Sequence, residues 1–417
     1  MSFPLARGRR LAIGAAVVSA ALGLGWAVGA SSPATAADAS TRYLTIFREA
    51  SPTAIVSGTQ SRYGVTPASA LWFDSWSSGK SFPVSDAQAL WSQGVLPHYT
   101  WEPWNPSLGV KDSGQIHLQD IVNGTWDSYI RARGAELASA KVPVMVRWGH
   151  EFNGDWYPWG LANNGNNGAL YAQAFRHVHD LVVQQGATNV QWIWAYNNNS
   201  SPNQSWNAPS TAYPGDAYVD WVGIDGYNWG KAPSWDPAGN YWTSFTDLIS
   251  NAYNQARSIA PKRPVMVAEM ASTEDGGDKA AWINAMSQTL ASGAFPDLKT
   301  IAWFDQDKEE LWSGTSSAGV TTAFKSWVNQ GYMRGSGTDL AKVADQYKGV
   351  TPTPTTTTPT PTTSTPTPTT STPTPTTTTP KPTTTKPTKT RKTTTIKKCK
   401  TGKNGKKTCK TMTKTRK

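Results

Sequence analysis

Several common features are scarce or missing in this 417-residue chain, and each absence narrows its function. Both cysteines stand near the C-terminus, and the five histidines show no spacing that is typical of a metal site. No apolar run beyond residue 30 is long enough to span a bilayer. Between residues 37 and 380 the chain holds 21 basic and 28 acidic residues, a net charge of −7. We therefore expect neither a metal ion nor a nucleic-acid partner.

Residues 1–36 have the composition of a cleaved export signal. The basic stretch "ARGRR" precedes a run rich in Gly and Ala, and "ATA" at 34–36 supplies small residues for cleavage. A transmembrane anchor is the alternative, and the Arg9-Arg10 pair leaves twin-arginine export open. We expect cleavage, and hence a secreted protein that has no contact with the membrane afterwards.

The C-terminus consists of a linker and a basic tail. Residues 351–390 are Thr-Pro repeats with almost nothing to bury, which predicts a stiff, disordered linker. The tail, 391–417, contains both cysteines, and a turn at 403–405 would place Cys399 opposite Cys409 for a disulfide. Residues 381–417 carry 15 Lys and Arg and no acid, which suits contact with an anionic cell wall or matrix. The alternative is that the tail is only a solvated extension. In a third interpretation the tail carries the main function of the protein, and the domain at 37–350 is accessory to it.

Residues 37–350 have the size of an α/β barrel domain. Strand-like segments recur along them, in the order "RYLTIF" (42–47), "ALWFD" (70–74), "VLPHYTW" (95–101), "PVMVRWG" (143–149), "VQWIWAY" (190–196), "VDWVGID" (219–225), "PVMVAEM" (264–270) and "TIAWFD" (300–305). Helical patterns lie between them, opening at Ser85 and running near 118–140, 169–185, 244–260 and 278–292, with Ser85 and Asp278 as candidate N-caps. Eight strands alternating with helices predict an α/β fold, a (β/α)8 TIM barrel. A doubly wound sheet is the alternative, but the first strand is not followed by a Gly-rich phosphate turn.

Acidic and aromatic residues collect where the predicted strands end. Of the 21 tryptophans, 20 lie within 37–350, more than a core needs and well suited to stacking on sugar rings. Glu151 follows the fourth strand and Glu269 ends the seventh, so both would face the C-terminal mouth of the barrel. Two carboxyl groups amid aromatic rings are the catalytic groups typical of glycoside hydrolysis, in which one donates a proton and the other attacks the anomeric carbon. Glu274, in the polar loop after the seventh strand, is the alternative candidate for the attacking carboxylate assigned to Glu269.

Four motifs of the chain resemble those of glycoside hydrolase family 26. "WGHEFNGDWYPWG" (148–160) resembles the acid/base motif of the family, and "PVMVAEMAS" (264–272) resembles its nucleophile strand. "VDWVGIDGYNW" (219–229) and "IAWFDQ" (301–306) are similar to its sixth and eighth strands. The resemblance covers about 42–330 and implies a (β/α)8 barrel, a retaining double displacement and no cofactor. The family is known mostly for β-mannanases, and also contains mixed-linkage β-glucanases and β-1,3-xylanases.

The resemblance implies a role for individual residues. Glu151 is similar to the acid/base, Glu269 to the nucleophile, and His150 and Tyr227 to the pair that orients the nucleophile. Arg147, just before the site, is expected to help hold Glu269 ionised. Aromatic rings around Glu151 should raise its pKa, so that it can donate a proton. Residues expected to bind substrate are Trp156, Trp303, Trp101, Glu102 and Trp104.

The third strand ends in a departure from the family pattern. Trp101-Glu102-Pro103-Trp104 stands where family mannanases typically have Trp-His-Trp, so a carboxyl group replaces a histidine at a position that contacts sugar. We expect a monomeric endo-acting hydrolase of β-1,4-linked plant polysaccharide, with mannan as the first candidate substrate and mixed-linkage glucan as the second. A catalytically silent sugar-binding barrel is the alternative from another class.

Overall fold

The protein is described by a computed structural model over residues 41–348, 393–401 and 407–415. The chain divides into two compact units, Met1–Pro354 and Thr355–Lys417. The predicted export signal (1–36) and Thr/Pro linker (351–390) lie outside the described residues. Within the described ranges, none of the helices combines the length and the apolarity needed to cross a membrane.

The first unit is a closed barrel of eight parallel strands surrounded by helices, which confirms the predicted TIM barrel. The barrel strands are β1 (Tyr43–Phe47), β2 (Ser69–Ser75), β3 (Leu96–Glu102), β4 (Val144–Trp148), β5 (Val190–Asn197), β6 (Trp221–Asn228), β9 (Val265–Ser272) and β10 (Leu298–Phe304). A two-stranded antiparallel hairpin, β7 (Gly230–Lys231) and β8 (Asn240–Tyr241), follows β6. The helices are α1 (Pro52–Tyr63), α2 (Val84–Ser92), α3 (Leu118–Val122), α4 (Asp127–Ala140), α5 (Gly168–Gln184), α6 (Phe245–Ile259), α7 (Lys279–Ala291), α8 (Ala318–Val328) and α9 (Gly337–Lys348). Neighbouring strands follow the order β1-β10-β9-β6-β5-β4-β3-β2, and the ring closes between β2 and β1.

The barrel strands are buried on both faces, as expected of a parallel sheet that is covered by helices. One face fills the barrel with residues such as Leu96, Met145 and Met266, which form one cluster with Leu340 of α9. Helix α9 packs where strands begin, since the Gly337 amide donates to the Gly94 carbonyl just before β3. The N-terminal end of the barrel is therefore covered by α9, and its C-terminal end is left for the functional site.

Two predictions about helix starts have different outcomes. Asp278 caps α7, because its Oδ1 accepts from the Ala281 amide at 2.9 Å. Ser85 caps nothing, since α2 already begins at Val84 and the residue before it is Pro83. The helical region predicted over 118–140 is two helices, α3 and α4, separated by Gly124, whose φ of +86° lies outside the range of a right-handed helix.

The second unit contains a two-stranded antiparallel sheet formed by β11 (Thr393–Thr401) and β12 (Lys407–Thr415). Cys399 and Cys409 stand opposite each other in its register. This is the register that the predicted disulfide requires, and the disulfide itself stays a prediction.

Candidate active site

Glu151 lies just after β4 in an unusual backbone conformation. Its φ is +52°, in the left-handed region that L-residues other than glycine adopt only at a cost of order 1–3 kcal/mol. Gly149, two residues earlier, has a φ of +54°. The Glu151 carboxyl accepts two hydrogen bonds, one from Trp156 Nε1 at 2.6 Å and one from Asn197 Nδ2 at 2.8 Å. Asn197 ends β5, so the strained turn places the carboxyl at the mouth of the barrel.

The surroundings of Glu151 favour its protonated form at neutral pH. Burial and the negative charge of Glu269 raise the pKa of Glu151 to about 7, although Asn197 and Trp156 donate hydrogen bonds that oppose the shift. A carboxylic acid with this pKa holds a proton at neutral pH and can still release it to a leaving group. Glu151 thus has the property of a general acid.

Glu269, on β9, is held by two donors, Tyr227 on the neighbouring strand β6 and Arg147 on β4. Arg147 Nη2 donates to its Oε2 at 2.6 Å, and the Tyr227 hydroxyl donates to its Oε1 at 2.5 Å. Both hydrogen bonds stabilise the ionised carboxylate, which is the form that can attack an electrophilic carbon. The side chain is partly accessible, whereas Arg147 beneath it is fully buried.

Arg147 connects three strands beneath the two glutamates. Its Nη1 lies 2.9 Å from both carboxylate oxygens of Asp225, its Nη2 bonds Glu269, and its Nε donates to Thr100 Oγ1 at 3.1 Å. Burial by itself lowers the pKa of Arg147, but the charges of Asp225 and Glu269 outweigh it and raise the pKa above its usual value. A permanent cation at this position fixes the carboxylate of Glu269 in place.

His150 lies beside this network and stays neutral. Burial, and then the nearby charge of Arg147, lower its pKa well below the usual value. One ring nitrogen lies within 4.8 Å of carboxylate oxygens of Asp225 and Glu269, a grouping that could in principle hold a metal ion. The guanidinium of Arg147 already bonds both carboxylates, so an arginine supplies the positive charge there. Tyr227 and Arg147, rather than His150, donate to Glu269 in this structure.

Glu102 provides a third carboxyl group at the same mouth. It ends β3, it is nearly buried, and its backbone neighbours Ser75 of β2. Burial raises the pKa of Glu102 to about 7, while Trp104 and Arg147 oppose the shift and Glu269 adds to it. Glu102 can therefore present either a hydroxyl donor or a carboxylate acceptor to a sugar near neutral pH.

The predicted aromatic platforms divide into two groups. Trp156 is 39% exposed beside Glu151, and the half-buried Trp104 packs edge-on against Tyr157 at 5.3 Å. Trp101 and Trp303 are fully buried among the surrounding helices, where Trp101 donates to the Tyr129 hydroxyl. Neither ring has accessible surface in this structure, and contact of Trp101 and Trp303 with substrate stays a prediction.

Three contributors to the site, Asn197, Trp312 and Lys279, make contacts that the sequence does not reveal. Asn197 was recognisable as the end of a strand, but not as a donor to Glu151. Trp312 lies in the loop after β10 and packs against the Tyr227 ring at 5.0 Å. Lys279, at the start of α7, anchors this loop by donating to the carbonyls of Leu311 and Ser313 at 2.6 and 2.8 Å. No local pattern signals these contacts, because they join segments that are far apart in the sequence.

Comparison with known proteins places this site in a family. The profile of glycosyl hydrolase family 26 matches residues 103–306. The chain is 35% identical over 261 residues to endoglucanase H of Acetivibrio thermocellus, covering 62% of this chain and 27% of that protein. It is 28% identical over 288 residues to the mannan endo-1,4-beta-mannosidase of Bacillus subtilis strain 168, covering 62% and 70% of the two chains.

The fold agrees with that match. A modular endo-beta-1,4-mannanase from Cellulomonas fimi superposes with a TM-score of 0.55 at 15% identity, over 72% of this chain and 73% of that one. At this identity the superposition supports the barrel fold, and the profile match supports the family. The barrel unit of this chain thus carries the sequence profile of glycosyl hydrolase family 26 over residues 103–306, just under half of the chain.

Proposed function

We propose that this chain is an endo-acting glycosidase that cleaves β-linked plant polysaccharide by a retaining double displacement. The observation that carries the proposal is the pairing of Glu151, whose pKa is raised to about 7, with Glu269, which accepts hydrogen bonds from Arg147 and Tyr227. At one barrel mouth, burial favours the protonated form of Glu151, whereas the two donors to Glu269 stabilise a carboxylate. That difference is what acid-assisted nucleophilic displacement at an acetal carbon needs.

In the first step Glu269 attacks the anomeric carbon. A bond forms between its carboxylate oxygen and that carbon, the glycosidic C–O bond breaks, and Glu151 gives its proton to the departing oxygen. In the second step the ionised Glu151 takes a proton from water while the water oxygen bonds the anomeric carbon and releases Glu269. Trp156 and Asn197, which donate to Glu151, stabilise the carboxylate between the two steps.

We take β-1,4-mannan as the first substrate class, because mannan endo-1,4-beta-mannosidases are among the relatives. Mixed-linkage β-1,3-1,4-glucan is the second candidate. Glu102 favours it, since a carboxyl group stands where the mannanases of the family typically carry a histidine, and the relative with 35% identity is called an endoglucanase. The exposed Trp156 would stack on a sugar ring in either case.

The test is hydrolysis by the mature full-length chain. Reducing ends released from mannan, mixed-linkage β-glucan and β-1,3-xylan would be compared for wild type, Glu151→Gln, Glu269→Ala and the control Glu309→Gln, whose side chain is exposed. We expect loss in the first two variants only. A wild type that binds these glycans but releases no more sugar than its variants would instead be a sugar-binding barrel.

Stereochemistry tests the mechanism separately. Proton NMR of the first product formed from a β-linked oligosaccharide distinguishes the two anomers before they interconvert. Double displacement gives the β-anomer, and an initial α-anomer would refute the role of Glu269 as a nucleophile.

The two termini of the chain support a proposal about where the enzyme acts. Residues 1–36 would direct secretion, and the basic tail would retain the monomeric enzyme on an anionic cell wall or matrix. Deleting 381–417 should release the protein from cell-wall preparations and leave its hydrolysis rate in solution unchanged. If the deletion abolished hydrolysis of a soluble substrate, the tail would be part of the function itself.

A further inference from the structure

A continuous row of aromatic rings leads from the catalytic centre to the protein surface. The Tyr227 ring, whose hydroxyl bonds Glu269, lies 5.7 Å from the Trp229 ring. Trp229 contacts Trp235 at 5.8 Å, and Trp235 contacts Tyr241 at 4.6 Å. The last two residues belong to the hairpin segment between β6 and α6, which we call the aromatic hairpin (230–241).

Exposure rises along this row. Tyr227 and Trp229 are partly buried, whereas Trp235 is 55% exposed and Tyr241 is 38% exposed. Among the described residues, few large apolar side chains are as exposed as Trp235. Trp235 and Tyr241 contact each other and are both exposed, so they form an adjacent pair of apolar rings at the surface that a flat ligand could cover.

The aromatic hairpin packs closely against the loop that follows β9. Gly230, with a φ of +67°, approaches the Asp275 carbonyl so closely that a Cβ atom would lie 2.0 Å from that oxygen. Gly276, with a φ of +88°, packs in turn against Lys231. Both contacts exclude a larger residue at the glycine. These contacts fix the base of the hairpin, and the ring contacts of Trp235 with Trp229 and Tyr241 order the exposed rings, which lowers the entropic cost of binding.

We propose that Trp235 and Tyr241 form a distal sugar-binding subsite, which stacks on a pyranose ring of the same polysaccharide chain beyond the sugars at the scissile bond. The inference rests on the proposed function, because the row of rings begins at the nucleophile. It adds a binding site that engages only substrates long enough to reach from Glu269 to the aromatic hairpin.

The chemistry of the aromatic hairpin suits a neutral polyol. Its polar rim consists of Lys231, Asp236 and Asp275, which carry both signs of charge and can hydrogen-bond hydroxyl groups. Asp236 also accepts from the Tyr241 hydroxyl at 2.6 Å, which fixes the orientation of that ring. Two exposed rings offer far less area than the roughly 1,200 Å² that a stable protein interface buries, so a protein partner fits this patch poorly.

Substrate length is the test. Trp235→Ala in the full chain should lower kcat/KM about tenfold on polysaccharide, as expected for the loss of one aromatic platform, and leave a short aryl β-glycoside unaffected. Trp235→Phe should retain most of the activity on the polymer. Trp206→Ala is the matched control, because Trp206 is 49% exposed on a different loop and, in the described part of the chain, makes no ring contact with this row.

A second measurement separates this inference from the proposed function. In the Glu269→Ala background, binding of a six-sugar mannan or mixed-linkage glucan oligosaccharide should weaken about tenfold on adding Trp235→Ala. Equal losses on short and long substrates, or unchanged binding and unchanged activity on the polymer, would overturn the distal subsite. If wild type hydrolyses no glycan, the proposed function fails, and the binding measurement still decides the subsite.

Discussion

The hydrogen bond from Asn197 to Glu151 offers a sharp test of the acid/base assignment. Asn197→Ala removes the donor that lies 2.8 Å from Glu151 Oε1, whereas Trp156 still donates to Oε2. Because a hydrogen bond to a charged group contributes about 1.5–3 kcal/mol, its loss disfavours the ionised carboxylate. At 1.36 kcal/mol per unit, the pKa of Glu151 should rise from about 7 by about one unit or more.

The assay is the pH dependence of kcat/KM, which reports the ionisation of the free enzyme. Activity requires protonated Glu151, so it should fall on the alkaline limb as this group ionises. We expect that limb to move about one unit to higher pH in Asn197→Ala. Asn203→Ala, an exposed asparagine in the segment after β5, serves as the control and should leave the profile unchanged.

Glu102 could imitate this behaviour, since its pKa is also raised to about 7. Glu102→Gln removes that titration, so the alkaline limb should persist in this variant if Glu151 is the acid. An alkaline limb that stays in place in Asn197→Ala, or moves to lower pH, would refute the assignment.

Three further predictions concern stability. The pKa of Glu102 is about 7 in the folded protein and 4.5 when unperturbed, so the folded state binds the proton more tightly than the unfolded state does. The free energy of unfolding of the wild type should therefore fall by up to about 3 kcal/mol as the pH rises between these two values. Glu102→Gln should therefore have a higher Tm than wild type at about pH 8 and an equal one at about pH 4, measured by calorimetry. Arg147→Met leaves the buried Asp225 and the partly accessible Glu269 without their cation, and urea unfolding should show a loss of about 3–5 kcal/mol in the free energy of unfolding, smaller for Arg147→Lys. Lys279→Met removes the donor from two carbonyls, at about 1–3 kcal/mol each, and should expose the loop around Trp312 to proteolysis, which Lys279→Arg would partly prevent.

The barrel could be predicted from the sequence because each strand is a short apolar segment bounded by turn residues, with helical patterns between strands. Every segment predicted as a strand overlaps one of the barrel strands, although most of the strands extend one to three residues beyond the predicted bounds. Glu151 and Glu269 followed from the rule that strand ends carry the chemistry of a barrel. The helix N-caps were harder to predict than the strands. Asp278 caps α7 as predicted, whereas the residue before α2 is Pro83, which has no side-chain oxygen to accept a hydrogen bond.

The burial of Trp101 and Trp303 could not be predicted from the sequence, for a physical reason. Both faces of a parallel barrel strand are buried, so apolar residues run through it without the alternation that would show which face meets the cleft. A shift of one residue moves a side chain from the cleft side to the helix side. Asn197 and Lys279 were missed for another reason, because each acts on a segment more than thirty residues away.

The aromatic hairpin has a consequence for how the substrate range of such a barrel can change. Its strands, β7 and β8, pair only with each other, and neither adds hydrogen bonds to the closed ring of eight. Insertions, deletions and exchanges in this segment would leave strand register and barrel closure intact, as is typical of surface connections. If the aromatic hairpin binds glycan as proposed, the length of glycan that is recognised can therefore change in evolution without any change at Glu151 and Glu269.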